Sequence, residues 1–210
     1  MPPDPNTRVC AFAVPGAVQP WLDAGFDSGP SGFAAGEVSV IVGAAEAEGV
    51  RVIVSPPSAL DGAGATELPQ SPGAGGGSRH PNGVFGVDHV VVTTPSMART
   101  RVAMLEAGLD LRLERQGTVG ERKVEQAFFL AGPCVVELVG SADEPDGPAS
   151  VWGITFVTST LDELPALEGS PVASIRDAVQ PGRRIAVARR ELGLPTRVAF
   201  MDPRTRSGQS

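Results

Sequence analysis

Residues 89–97 read HVVVTTPSM, and residues 153–161 read GITFVTSTL. The two stretches lie over one another without a gap. Each is an apolar, β-branched run that ends on a threonine and turns into a segment opened by a large aliphatic residue. A strand feeding a helix at the same spacing, twice in one chain, is the signature of an internal duplication.

Reading outward, residues 87–94 form the first strand of the first copy. Pro95 breaks it, and Ser96 caps a helix carrying Met97, Arg101, Met104 and Leu105. Gly108 closes that helix. Residues 109–115 alternate, with leucines at 109, 111 and 113, and predict a strand. Residues 124–130 and 134–139 predict two more, joined at Ala131-Gly132-Pro133. The order is β-α-β-β-β. The second copy opens with a strand at 152–158 and a helix running from Thr160 to Gly169. Strands at 185–189 and 197–201 follow.

Upstream, residues 9–14 predict a strand and residues 17–26 a helix, with Leu22 and Phe26 on one face. Strands at 37–42 and 50–54 complete a β-α-β-β unit within residues 1–55. Residues 56–83 are rich in Gly, Pro and Ser and read as a linker, with His80 expected in solvent. Residues 84–203 hold the duplicated domain, and residues 204–210 are expected to be a disordered tail.

Composition limits the chemistry. Asp and Glu number 24 against 17 Lys and Arg, a net charge of -7, which argues against a broad grip on nucleic acid. Cys10 and Cys134 form no CxxC pair, so a cysteine-rich zinc site and a disulfide framework are both excluded. His80 and His89 are the only imidazoles, so a metal site must lean on carboxylates. No apolar run is long enough to span a membrane, and the N-terminus carries no signal-peptide pattern. The expected location is the cytoplasm.

The residues Gly86-Val87-Asp88-His89-Val90-Val91-Val92 on the first strand resemble the vicinal oxygen chelate superfamily. So do Phe128-Phe129-Leu130 leading to Val136-Glu137-Leu138, and Trp152-Gly153-Ile154-Thr155-Phe156 followed by Leu161-Asp162-Glu163. That superfamily includes glyoxalase I, bleomycin-resistance proteins and extradiol dioxygenases. The resemblance implies an α+β fold: paired βαβββ modules forming a cupped, barrel-like mixed sheet, here with an extra partial N-terminal module. It also implies a divalent metal held inside the cup, and pairing into a homodimer.

His89 matches the first-strand metal ligand of that family and Glu137 the fourth-strand ligand; Glu137 would double as a general base. A carboxylate on an apolar strand is costly to bury alone, and His89 is its obvious partner. The second copy departs from the pattern. Gly153 stands opposite His89, and Ala199, in one register, opposite Glu137. Two protein ligands rarely hold a catalytic ion well, and Glu125, Glu191 or Asp202 would have to supply more. The alternative is a hydrogen-bonded His89–Glu137 pair in a pocket without metal. Trp152, Phe128, Phe156 and Phe200 are candidates to line an apolar pocket for a flat ligand, Trp152 and Phe128 first among them, with a place in the core as the alternative for all four. Arg183 and Arg184 are placed to clamp a carboxylate or phosphate at its mouth. Two functions follow. One is a glyoxalase-like protein with an incomplete metal site that binds a small organic ligand. The other is a metal-dependent lyase, isomerase or dioxygenase using His89 and Glu137.

Overall fold

The computed structural model describes residues 7–43, 49–65, 80–119, 121–140 and 147–204. Strands dominate. An N-terminal unit comprises β1 (Arg8–Val14), the short helix α1 (Gln19–Asp23), β2 (Gly32–Ala35), β3 (Val38–Val42) and β4 (Arg51–Ser55). The first module of the larger part comprises β5 (Val84–Thr94), α2 (Met97–Glu106), β6 (Asp110–Val119), β7 (Arg122–Ala131) and β8 (Cys134–Gly140). The second comprises β9 (Ser150–Thr158), a 3₁₀ turn at Leu161–Ala166, β10 (Val172–Asp177), β11 (Arg184–Ala188) and β12 (Arg197–Met201).

The eight strands of the two modules form one sheet, ordered β10-β11-β12-β9-β5-β8-β7-β6. Within each module the first and last strands pair in parallel, β5 with β8 and β9 with β12. The modules join through the antiparallel pair β5–β9. The sheet is open but strongly curved: residues of β6 and β10, at opposite edges, line one shared cavity. This is the α+β cup of paired βαβββ modules, without barrel closure.

The duplication is visible at atomic detail. β5 ends at Thr94 and α2 begins at Met97; β9 ends at Thr158 and its 3₁₀ turn begins at Leu161. The Thr94 hydroxyl accepts from the Ser96 N–H at 3.0 Å, and the Thr158 hydroxyl from the Thr160 N–H at 3.1 Å. The same side-chain turn starts both connections. The second does not become the expected α-helix. Pro165 lies inside it and denies an amide to an α-ladder, while Leu161 and Leu164, three residues apart, are buried as a 3₁₀ turn requires.

The N-terminal unit repeats the plan in reduced form. β1 pairs in parallel with β3, and β4 lies antiparallel on the other side of β1, as β9 does beside β5. Gly64 then bridges Val52 of β4 in parallel, in the place β12 takes beside β9. The small sheet packs on the convex face of the large one, with β1 against β7 and β4 against β9. Trp21, Phe26 and Phe33 meet Phe156 and Phe200 there, and all five rings are buried in a single continuous core. Phe156 and Phe200 are therefore core residues. On α1 the buried residue is Trp21, while Leu22 is exposed.

Parts of the expected linker are built into this structure. Leu60 and Ala63 are buried in the core, and Asp61 binds Arg99 and Thr100 of α2. His80 is 4% exposed, not solvated. Its Nδ1 accepts from the Asp27 N–H at 3.0 Å, and its Nε2 lies 2.8 Å from the Ala34 carbonyl oxygen. A backbone N–H can only donate, so the ring proton sits on Nε2 and points at Ala34. The centre of the linker, 66–79, and most of the expected tail, 205–210, lie outside the described residues.

Candidate functional site in the cup

β5 supplies the centre of the cup. Val90 and Val92 face the core, and Val91 and His89 face the concave side. The register between β5 and β9 shifts three times, and one shift falls beside His89. Val87 pairs with Phe156 and His89 with Thr155, so Asp88 is an extra residue with no partner on β9. Such a bulge re-aims the side chains around it. Val87 goes into the core. Asp88 turns back onto its own neighbour: its Oδ2 lies 2.8 Å from His89 Nδ1.

Asp88 and Arg183 are an interior ion pair, 7% and 5% exposed. Arg183 Nη2 lies 2.7 Å from Asp88 Oδ1, and the same guanidinium donates twice to the Asp202 carbonyl oxygen. Burial alone would push the Asp88 carboxyl up. Hydrogen bonds from His89 and Arg183, and the charge of Arg183, pull harder and hold it down at about 2. An ionised carboxylate only accepts, so His89 Nδ1 carries a proton. In the neutral ring Nε2 is then the acceptor. It faces the Thr155 hydroxyl at 3.1 Å, and both residues line a cavity of ≈ 350 Å³ with Trp152 and Gly153.

Glu137 projects from β8 on the same concave face. Its backbone partner on β5 is Val91, two residues from His89. Gln126 Nε2 donates to its Oε1 at 2.7 Å. His89 and Glu137 both line a second cavity of ≈ 510 Å³, together with Arg115, Phe128 and Arg176. Arg115 lies over the Phe128 ring, 4.9 Å from its centre, and donates to Gln126. The two cavities share His89, Arg176 and Ile185, so His89 stands where they meet. The cup thus brings His89, Glu137, Phe128 and Trp152 to one concave surface, but without the expected His89–Glu137 hydrogen bond. Their side chains are held by Asp88 and Thr155 on one side and by Gln126 on the other.

The two arginines expected at the mouth sit elsewhere. Arg183 is buried against Asp88. Arg184 forks onto Asp162 at 2.7 and 2.9 Å and binds Asp202 at 2.8 Å. Neither lines the two cavities around His89. Asp202, weighed as a spare metal ligand, is a clamp for Arg184. No signal in the sequence marks Asp88 and Arg183 as partners; they meet because a bulge and a loop far along the chain converge.

The donor set does not fit a divalent metal site of three or more ligands. Among the described residues no group of three His, Cys, Asp or Glu side chains converges. In the second module Gly153 pairs with Arg197 as His89 pairs with Val135, which makes Ala199 the counterpart of Glu137. Neither carries a donor. A side chain at 153 is also obstructed, since a Cβ there would sit 2.9 Å from the Arg197 carbonyl oxygen.

The paired-module cup is the fold of the vicinal oxygen chelate superfamily. It is shared with a triple mutant of 4-hydroxymandelate synthase from Streptomyces coelicolor, at a TM-score of 0.59 and 14% identity over 99% of this chain and 95% of that one. Methylmalonyl-CoA epimerase from Mycobacterium tuberculosis aligns at a TM-score of 0.46 and 15% identity, over 59% of this chain and 91% of that chain. A Streptomyces coelicolor epimerase in complex with 2-nitronate-propionyl-CoA aligns at 0.42 and 14%, over 57% and 97%. No family model and no curated protein matches the chain. No helix among the described residues is long and apolar enough to cross a membrane.

Proposed function

We propose that the chain binds a small organic ligand in the cup, with His89 as its central polar contact. The observation that carries this reading is the position of His89 at the junction of two cavities of ≈ 350 and ≈ 510 Å³. Its ring is oriented from behind by Asp88, so that in the neutral form an accepting nitrogen meets Thr155 at the cup surface. Sites of this size with a few convergent polar groups on an apolar lining suit small molecules. Phe128 and Trp152 offer flat apolar surface on either side, and Gln126 and Glu137 offer further hydrogen-bonding groups.

The experiment is calorimetric titration with 1-naphthol, a flat neutral probe whose hydroxyl can meet Nε2. Saturable binding that is weakened in His89→Ala supports the reading. Binding that is indifferent to His89 contradicts it.

A second reading, a metal-dependent lyase, isomerase or dioxygenase built on His89 and Glu137, draws on one observation. A carboxylate behind a histidine is how metal-binding imidazoles are commonly oriented. Its weakness is a donor set of two. Elemental analysis of protein purified without chelator or affinity-tag metal separates the readings. A near-stoichiometric ion lost in both His89→Ala and Glu137→Gln would favour the metal enzyme. The resemblance also suggests a homodimer, which sedimentation would test.

A further inference from the structure

We propose that the cup opens past Trp152 into an anion-binding trough, so that its ligand joins a flat apolar body to a carboxylate or phosphate. The proposal rests on the reading of the cup as a ligand site and adds the chemical class of what enters it.

The ≈ 350 Å³ cavity shares Trp152, Arg197 and Val198 with a third cavity of ≈ 480 Å³. That third cavity is lined by Thr93, Ser150, Arg189, Arg190 and Thr196 among others. The three spaces therefore form a chain, turning first at His89 and then at Trp152. The charges of the two that meet at Trp152 are one-sided. Arg176, Arg197, Arg189 and Arg190 line the two cavities that meet at Trp152, and no Asp or Glu does.

Those arginines also differ from four others on the surface. Arg8, Arg99, Arg101 and Arg112 each hold a carboxylate. The side chains of Arg176, Arg190 and Arg197 have no hydrogen-bond or ion-pair partner among the described residues, and the Arg189 guanidinium donates to the Ser170 carbonyl oxygen and to no carboxylate among them. A chain of net charge -7 has carboxylates to spare, yet these positions lack them. A cleft lined by one sign of charge concentrates the opposite ion, and guanidinium groups pair with carboxylate and phosphate oxygens in two-pronged fashion. Trp152, 55% exposed at the junction, is a large apolar surface left open beside those charges. A planar ring laid on it would hold an anionic group within the trough.

Two measurements test this. The first compares 1-naphthyl phosphate and 1-naphthoate with neutral 1-naphthol by calorimetry at low salt. At least one anion should bind about tenfold tighter than the alcohol, and the better of the two identifies the anionic group. The advantage should vanish in an Arg189→Gln/Arg190→Gln variant, whose two positions line the trough and not the cup, with 1-naphthol affinity unchanged. Equal binding of all three, or an advantage that survives the double variant, overturns the trough and leaves the cup. Binding of none of them overturns both.

The second needs no ligand. Trp21 is fully buried, so collisional quenching reports Trp152. Relative to free N-acetyltryptophanamide, iodide should quench it more strongly than caesium, and the double variant should remove the difference. Caesium quenching as effective as iodide in the unmodified chain would overturn the proposal.

Discussion

Asp88 Oδ2 lies 2.8 Å from His89 Nδ1, although the two residues are consecutive on β5. In a regular strand they would point to opposite faces. The bulge that brings them together ties the cup to the interior, because the other oxygen of the same carboxylate holds the buried Arg183.

Replacing Asp88 by Asn should therefore be felt in the fold before it is felt in binding. It leaves the Arg183 guanidinium buried without its counter-charge, at a cost of about 3 kcal/mol. Urea denaturation should register the loss. Asp88→Asn/Arg183→Met should recover much of it, since both charges are then gone. A single variant as stable as the parent would mean that the pair is not buried in solution.

The same carboxylate predicts acid sensitivity. Its folded value of about 2 lies below the ordinary 3.8. The stabilisation is thus complete above about pH 4 and drains away as pH falls toward 2. The shift corresponds to about 2 kcal/mol. Denaturation midpoints measured from pH 5 to pH 2 should fall for the parent, and fall less for Asp88→Asn/Arg183→Met.

Gly153→Ala tests why the second module has no counterpart to His89. The new Cβ would meet the Arg197 carbonyl oxygen at 2.9 Å and the Arg197 Cβ at 3.0 Å. Forcing β9 and β12 apart should cost about 1–2 kcal/mol. An unchanged melting curve would show that the strands give way freely, and that a donor could be restored there.

Cys134 should be inert in the folded chain. Burial, aided by the nearby charge of Asp88, pushes its thiol up to about 12. Iodoacetamide at pH 8 should label it only after unfolding in urea, a result that peptide mass mapping reads directly.

The sequence displays the duplication because its signal is local. A β-branched run, a threonine turn and a leading aliphatic residue recur at one spacing, and the structure places Thr94 and Thr158 in matching roles. β10 was hidden for the opposite reason. Val172–Asp177 is an edge strand with polar or charged residues on half of its positions and no period-two apolar pattern, and edges are commonly kept polar. β2 is four residues of Gly, Phe and Ala with no period to read. At the site, His89 and Glu137 were legible as inward residues on apolar strands. Their actual partners were not: Gln126 comes from a neighbouring strand, Thr155 from the other module, and Asp88 through a bulge that leaves no mark in composition. Arg183 was expected at the pocket mouth because its ion pair with Asp88 closes over nearly a hundred positions of chain. His80 looked solvated for a similar reason, since its partners Asp27 and Ala34 belong to a different unit.

With only two histidines in the chain, nitrogen NMR of ¹⁵N-histidine-labelled protein can watch the cup directly. In their neutral forms the rings should be opposite tautomers: His80 with its proton on Nε2, His89 with its proton on Nδ1. Titration with 1-naphthol should shift the His89 resonances saturably, Nε2 most, while His80 stays fixed. If 1-naphthol binds and the His89 resonances do not move, the ligand site is not the cup.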